Sequence, residues 1–188
     1  MDSRFYSVIE ESPIIVAVKN KEGLERCLKT DSKVVFILFG DICNIHDIVQ
    51  KVKDAGKMAM VHIDLILGLN SKEISVDYIK MNTQADGIIS TKINIVNRAK
   101  ALSMYTVFRL FIIDSMALSS LENQNSIIKA DLIEILPGVM PRVIKKVCQM
   151  TSKPVIAGGL ISEKAEVVEA LEAGAISVST TNENVWFM

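Results

Sequence analysis

The chain ends with two short apolar runs, PVIAGGLI at 154–161 and AISVSTTN at 175–182. Each run is typical of a buried strand that stops at glycines or at hydroxyl residues. Between them, the apolar residues of 163–173 recur at helical spacing, and Gly174 is of the type that most often ends a helix. Two strands joined by one helix make a βαβ unit, so we expect these strands to be parallel neighbours.

The same alternation continues along the rest of the chain. Strands are predicted at Ile14–Lys19, Val34–Phe39, Met58–Asp64, Gly87–Thr91, Tyr105–Leu110, Leu132–Pro137, Pro154–Gly159 and Ala175–Thr180. This pattern favours a compact (β/α)8 TIM-type barrel, with 1–188 as a single barrel domain and 1–12 as an N-terminal extension. The alternative is an open flavodoxin-like sheet, which needs only about five strands and leaves the other runs unexplained.

The predicted helices differ in how clearly the sequence marks them. Asp41 is placed to cap a helix that Gly56 ends, and Ser162 is placed to cap the last long helix. The apolar periodicity is weakest in 65–82 and 114–130, where polar residues interrupt it. We therefore expect these two segments to hold long loops over the site.

The composition excludes several classes of protein. Hydrophobic residues make up 49% of the 188 residues, so a packed globular core is expected. No apolar run reaches the ~18 residues of a membrane span, and the N-terminus lacks a signal-peptide pattern. The cysteines, odd in number and without metal-ligand spacing, are expected to be reduced thiols on helices of a cytoplasmic protein: Cys27, Cys43 and Cys148. A net charge of −1 means that any RNA contact needs a local basic patch.

The ends of the last two strands predict a phosphate site. In a parallel barrel, the loops after strands 7 and 8 and a short extra helix usually form such a site. A short helix is expected at 183–187, and the glycine pair lets the backbone approach a ligand closely. The predicted phosphate ligands are Gly158, Gly159, Ser179, Thr180 and Thr181, with Thr91 and Lys92 as further candidates. The alternative is a tight turn and a helix cap that bind nothing, and Thr91 and Lys92 are equally suited to capping the next helix.

Polar residues also share the predicted interior of the barrel, because side chains alternate between the two faces of a strand. They are Lys19, His62, Asp64, Arg109 and Glu134. An unpaired buried charge is costly, so these groups are expected to pair with one another, to bind a polar ligand, or both. His62 and Asp64 supply too few ligands for a metal site, and neither a metal nor another cofactor is predicted.

A basic helix is predicted after strand 6. Arg142, Lys145 and Lys146 lie along it. Such a face is usually only solvated, but it is also one of the few places where RNA phosphates could dock. Lys51, Lys53 and Lys57 form a second and weaker candidate.

Several blocks of the sequence occur in the same order in a known family. They are Met60–Leu65, Gly87–Lys92, Arg109–Phe111, Ile133–Gly138, Ala157–Leu160 and the tail Ser179–Asn182 with Trp186. With these blocks, the chain resembles the glycerol uptake operon antiterminator family from Pro13 to Trp186. The resemblance implies a regulator of the bacterial cytoplasm that responds to glycerol 3-phosphate. Such proteins bind the leader mRNA of glycerol catabolism genes, prevent transcription termination and stabilise the transcript.

The residues themselves support a small phosphorylated ligand, whereas RNA binding follows from the resemblance alone. Under this interpretation the glycerol moiety is bound by Lys19, His62, Asp64, Arg109 and Glu134. Asp64 and Glu134 accept hydrogen bonds from the glycerol hydroxyls, while Arg109 and Lys19 supply positive charge or orient those carboxylates. The alternative is an enzyme: a barrel lyase, isomerase or phosphodiesterase acting on a small phosphate ester, with Glu134 or Asp64 as the general base. No membrane partner is expected, and the sequence leaves the oligomeric state open, a homo-oligomer included.

Overall fold

The computed structural model describes residues 3–124 and 126–188, and across these residues eight parallel strands close into a barrel. The strands are β1 Ile14–Val18, β2 Val34–Ile37, β3 Met58–His62, β4 Gly87–Ser90, β5 Tyr105–Phe111, β6 Leu132–Leu136, β7 Val155–Gly158 and β8 Ser177–Thr180. Each strand pairs with its sequence neighbours, and β8 closes the barrel by pairing with β1. The predicted compact (β/α)8 TIM-type barrel is therefore confirmed.

Helices connect the strands on the outside of the barrel. They are α1 Ser3–Glu10, α2 Lys21–Cys27, α3 Ile45–Asp54, α4 Ile74–Asn82, α5 Ile93–Ala101, α6 Ser115–Gln124, α7 Pro141–Met150, α8 Lys164–Glu172 and α9 Glu183–Trp186, with a 3-10 turn at Ile63–Leu65. None of the helices in the described part of the chain combines the length and the apolar run that crossing a bilayer requires.

The prediction that 65–82 and 114–130 hold long loops was wrong, because 65–82 contains α4 and 114–130 contains α6. Both helices have a narrow buried face. Among its described residues α6 buries Leu121, and α4 buries Val76, Ile79 and a serine. So few apolar positions do not produce the wide stripe by which an amphipathic helix is recognised in a sequence.

The starts of two helices also differ from the predicted ones. After β2 the chain first makes a turn, in which the Asp41 carboxylate accepts hydrogen bonds from the amides of Cys43 and Asn44, at 2.8 and 3.1 Å. α3 begins after this turn, so Cys43 does not lie on a helix. Before α8, Ser162 donates its amide to Glu166 at 2.7 Å and does not cap the helix. Local side-chain-to-backbone bonds decide both boundaries.

Apolar side chains fill the N-terminal end of the barrel interior. The inward-facing residues of the strands form one apolar cluster that includes Phe36 and Met60. α1 adds Phe5 and Ile9 to this cluster, and the ring of Phe5 stacks on Tyr105 with a centroid separation of 4.2 Å. The polar residues of the interior therefore lie above this cluster, towards the C-terminal ends of the strands.

Candidate functional site

A cavity of about 330 Å³ opens at the C-terminal end of the barrel, beside β7 and β8. This volume is at the lower end of the range found for small-molecule sites. Buried Arg109, Glu134 and Ser179 supply polar groups at its base, and apolar side chains and loop residues supply the rest of the wall. The lining residues are Ala17, Leu38, Arg109, Glu134, Leu136, Gly159, Leu160, Ile161, Ser162, Ser179, Thr180, Thr181 and Asn182.

Glu134 is fully buried at the base of the cavity and is held by two partners. The Arg109 Nε donates to Glu134 Oε2 at 2.5 Å, and the Ser179 hydroxyl donates to Glu134 Oε1. β7 runs between the strands of Glu134 and Ser179, so the contact between them has to pass Gly158. A Cβ atom at Gly158 would lie 2.5 Å from Glu134 Oε1 and 2.6 Å from Ser179 Oγ. Gly158 thus leaves the space in which these two side chains meet.

The loop after β7 brings backbone donors to the cavity. Gly159 and Leu160 both have left-handed backbone conformations, with φ of +76° and +64°. Such a conformation is unusual for leucine and often marks a functional loop. Within the described part of the chain, the amide N–H groups of Leu160, Ile161 and Thr181 donate no hydrogen bond to another backbone or side-chain group. Cavity-lining amides without a partner form a ready site for an anion.

The loop after β8 is held in place by its own hydrogen bonds. The Thr180 hydroxyl donates to the Ile161 carbonyl at 2.7 Å, which fixes the β7 loop against β8. Trp186 donates its indole N–H to the Thr180 carbonyl at 2.8 Å. Asn182 caps α9 through the amide of Asn184, at 3.0 Å. The short helix expected at 183–187 is present, and Thr181 lies exposed at its start.

The predicted site residues of β3 and β4 form a separate cluster. Asp64 accepts hydrogen bonds from the Ser90 hydroxyl at 3.0 Å, from the Thr91 amide at 2.8 Å and from the Thr91 hydroxyl at 3.1 Å. Lys92 bonds to the hydroxyl of Ser71 in the loop before α4. Among the described residues, this cluster does not line the cavity at β7 and β8. The groups that sequence reasoning placed in one site thus occupy two halves of the barrel mouth.

His62 lies in the second cluster and is almost completely buried. Within the described residues its Nδ1 has no hydrogen-bond partner, and the nearest carboxylate oxygen, on Asp64, is 3.9 Å away. Burial, with a smaller contribution from Arg109, lowers the pKa of His62 to about 4. The imidazole is therefore neutral at physiological pH. No group of three potential metal ligands occurs in the part of the chain that the structure describes.

Lys19 follows β1 and is exposed at the mouth, outside the cavity lining. Its backbone position matches the expected inward alternation, because Ala17 belongs to the interior cluster while Val16 and Val18 pack against helices. A long exposed lysine can reach a ligand only from solvent. Lys19 is thus positioned as an outer charge.

The basic candidates on the helices differ from one another. Arg142, Lys145 and Lys146 are exposed on α7, and none forms an ion pair with a described residue. The second predicted patch does not exist as a free basic surface. Two of its lysines are paired with carboxylates, and Lys57 is buried with its Nζ bonded to the Thr30 carbonyl at 2.5 Å. Burial lowers the pKa of Lys57.

Sequence reasoning missed the apolar part of the cavity wall. Strand alternation places Leu136 on the inward face with Glu134, but an apolar side chain gave no reason to include it among the site residues. Leu160 and Ile161 carry no polar signal, and they line the cavity because the left-handed turn at Gly159 presents them to it. Ser90, the hydroxyl partner of Asp64, could be identified only from the register that places β3 beside β4.

The architecture and the cavity define a small (β/α)8 barrel with a polar site at its C-terminal mouth. The sequence pattern of the family "Glycerol-3-phosphate responsive antiterminator" matches residues 14–186. The chain belongs to this family.

Similar proteins occur in several bacteria. The uncharacterized protein YgcP of Escherichia coli (strain K12) is 39% identical over 179 residues, which cover 95% of this chain and 94% of YgcP. The glycerol uptake operon antiterminator regulatory protein from Listeria monocytogenes str. 4b F2365 is 34% identical, with a TM-score of 0.89 over 92% of this chain and 94% of that chain. A glycerol uptake operon antiterminator-related protein from Thermotoga maritima MSB8 is 31% identical, with a TM-score of 0.83 over 94% of this chain and 99% of that chain.

Proposed function

We propose that this protein is a glycerol 3-phosphate sensor that binds leader mRNA of glycerol catabolism genes, prevents transcription termination and stabilises the transcript. The observation that carries the ligand part is that Leu160, Ile161 and Thr181 line a cavity of about 330 Å³ with amides that have no acceptor among the described residues. Oriented N–H groups are well suited to a phosphate group. The family membership supports the choice of glycerol 3-phosphate among small phosphate esters.

The charges of the cavity support an orientation for the ligand. Arg109 and Glu134 neutralise each other at its base, so the backbone dipoles near the opening supply the attraction for a dianion. We place the phosphate at the amides of Leu160, Ile161 and Thr181, beside Gly159, Ser179 and Thr180. The glycerol hydroxyls then point towards the Arg109 and Glu134 pair, which offers both a donor and an acceptor. A carboxylate beside a guanidinium suits a neutral polyol better than a second anion.

The remaining predicted residues have more distant roles in this proposal. His62 and Asp64 belong to the neighbouring cluster on β3 and β4, and Gly158 leaves space for the contact between Glu134 and Ser179. Thr91, Lys92 and Lys19 add polar groups at the rim. The rim charges strengthen the attraction of an anionic ligand at long range more than they select it.

For the RNA we propose the exposed face of α7, with Arg142, Lys145 and Lys146 as phosphate contacts. Three free cations on one helix can displace counterions from an RNA backbone. The neighbouring helix α8 carries Glu169 and Glu172, which share a groove with Arg142 and Lys145. These carboxylates repel phosphate, so the RNA should approach α7 from the side that faces away from α8. The site of action is the cytoplasm, where leader mRNA is made.

Calorimetry tests the ligand assignment. Glycerol 3-phosphate should bind with measurable heat, whereas glycerol without the phosphate should give none, because the amide donors then have no anion to contact. Equal affinity for both compounds would remove the phosphate site from β7 and β8.

A triple substitution tests the RNA surface. Changing Arg142, Lys145 and Lys146 to Ala should weaken leader RNA binding and reduce the slope of log affinity against log salt by about 2, since a single-strand phosphate contact contributes about 0.7. The matched control changes Lys29, Lys80 and Lys129, which are also exposed, and removes the same charge elsewhere. Equal losses in both triple variants would show that α7 has no special role.

The family membership favours a regulator over an enzyme. Arg109 and Ser179 each hold one oxygen of Glu134, and the remaining lone pairs of the carboxylate can accept from a ligand hydroxyl. We expect no turnover of glycerol phosphates. Consumption of the ligand at an enzymatic rate, without binding of RNA, would overturn the regulatory function.

A further inference from the structure

One peptide plane connects the cavity to the segment that precedes α7. The carbonyl of Gly159 accepts a hydrogen bond from the amide of Gly138 at 3.0 Å, across the gap between the β7 and β6 loops. The amide of Leu160 belongs to the same peptide unit and has no acceptor among the described residues. A trans peptide is planar, so its N–H points away from its C=O. Whatever binds the Leu160 amide therefore acts on the plane that holds Gly138.

The backbone at Gly138 packs directly against β7, so these two segments do not move independently of each other. A Cβ atom there would lie 2.8 Å from the Ile161 Cδ1, 2.9 Å from the Gly158 amide nitrogen and 3.0 Å from the Ala157 carbonyl carbon. Two of these neighbours are backbone atoms of β7. Close-packed backbone transmits a displacement directly, because there is no gap to absorb it.

The β7 loop is fixed more firmly on its other sides. Thr180 holds the Ile161 carbonyl, and Glu166 of α8 holds the amide and the hydroxyl of Ser162, at 2.7 and 3.1 Å. These bonds tie the loop to β8 and to α8. The single hydrogen bond to Gly138 is the direct polar link towards β6 and α7 among the described residues.

The first turn of α7 depends on this connection for its position. Pro141 opens the helix directly after 137–140, and Met140 at the N-cap makes no side-chain capping bond. Below the first turn, Ile144 and Val147 anchor the helix in the core. Arg142 thus lies between a buried anchor and the segment that Gly138 positions.

We infer that ligand occupancy reaches the RNA surface through the peptide between Gly159 and Leu160 and through 138–140 to the first turn of α7. This inference rests on the proposed function. A ligand oxygen on the Leu160 amide polarises that peptide and strengthens the hydrogen bond from Gly138, because hydrogen bonds in a chain reinforce one another. The strengthened bond holds 138–140 in one arrangement and orders Arg142 for RNA.

Amide hydrogen exchange of the unmodified protein tests the pathway. Saturating glycerol 3-phosphate should slow exchange across 138–146 by about fivefold or more, while 93–101 on α5, outside the pathway, should not change. Binding shown by calorimetry with unchanged exchange at 138–146 would overturn this inference alone. Failure of glycerol 3-phosphate to bind at all would overturn the proposed function, and the inference with it.

The variant Val139→Gly provides a second test. It makes the backbone of 138–140 more flexible and changes neither a cavity-lining residue nor a basic residue of α7. Its affinity for glycerol 3-phosphate should stay close to that of the wild type. In the wild type, leader RNA should tighten ligand binding by the same factor by which ligand tightens RNA binding, about 5- to 150-fold for typical coupling. In Val139→Gly this factor should fall towards one. An undiminished factor, with exchange at 141–146 still responding to ligand, would contradict the pathway.

Discussion

The two halves of the barrel mouth contain similar polar residues, but the hydrogen bonding of these residues differs. In the half formed by β3 and β4, Asp64 accepts the hydrogen bonds that Ser90 and Thr91 donate. In the half formed by β7 and β8, the side chains bond to the scaffold, while the amides of Leu160 and Thr181 keep no partner among the described residues. Among the described residues, the second half lines the cavity and the Asp64 cluster does not.

The difference shows that polarity alone does not identify a binding site. A buried carboxylate whose acceptors are filled has little left to offer a ligand, whereas a cavity-lining amide without a protein partner is free to donate to one. Backbone donors are invisible in a list of polar side chains. An account of where each hydrogen bond goes therefore separates a structural cluster from a candidate site.

Replacing Glu134 with Gln should produce the largest effect on the β7 and β8 half. The change leaves Arg109 buried without a counter-charge, and breaking such a pair typically costs about 3–5 kcal/mol of unfolding free energy. Ligand affinity should also fall, by roughly 1–3 kcal/mol for a lost charged hydrogen bond. Urea denaturation and calorimetry measure the two losses. The double change of Glu134 to Leu and Arg109 to Met should restore most of the stability but none of the binding.

Lowering the pH should destabilise the folded protein through His62, which lies in the β3 and β4 half. Its pKa is lowered to about 4 in the folded protein, so between about pH 6.5 and pH 4 the unfolded chain binds the proton and the folded chain does not. Stability therefore falls as the pH falls through this window, by about 2 kcal/mol at about pH 5 relative to pH 7. His62→Gln should remove this part of the pH dependence. Parallel stability curves for the two proteins would contradict the account.

Replacing Gly159 with Val should abolish detectable ligand binding. The φ of +76° is strained for a branched residue, and the new Cβ would lie 3.0 Å from the Leu136 Cδ2. The cost to stability should be about 1–3 kcal/mol, with a native-like circular dichroism spectrum. Calorimetry should show an affinity loss of about 100-fold or more, since the amide donors are displaced. Normal binding by the variant would place the phosphate elsewhere.

The smallest effect on the ligand is expected from Asp64→Asn. Asparagine cannot accept all the hydrogen bonds that Ser90 and Thr91 donate, so unfolding should become easier by about 1–3 kcal/mol. Ligand affinity should change little, because the Asp64 cluster lies outside the cavity lining. A loss of binding as large as that of Gly159→Val would erase the distinction between the two halves.

The fold could be predicted from the sequence because each strand is a run of β-type apolar residues. Alternation also predicted correctly that Arg109 and Glu134 face the interior, where they meet in an ion pair. α4 and α6 escaped detection because their buried faces are narrow. Helix starts at Asp41 and Ser162 were misplaced because short side-chain-to-backbone bonds, not periodicity, decide them.

The sequence predicted that the candidate site lies at the C-terminal ends of the strands. It did not predict that the polar residues there form two separate clusters. Sequence reasoning found Gly159 and the hydroxyl residues of β8, and it grouped Thr91 and Lys92 with them. Whether a polar group already has a partner depends on register and loop conformation. The conformation of Leu160, with a φ of +64°, has no signal in the sequence.

A crystal structure of the complex with glycerol 3-phosphate would show which half of the barrel mouth binds the ligand. We expect phosphate oxygens within hydrogen-bond distance of the amides of Leu160 and Thr181, with the glycerol hydroxyls towards Arg109 and Glu134. A phosphate seated on Thr91 and Lys92 instead would contradict this expectation, because the binding half of the mouth would then be the one whose donors are already engaged by Asp64.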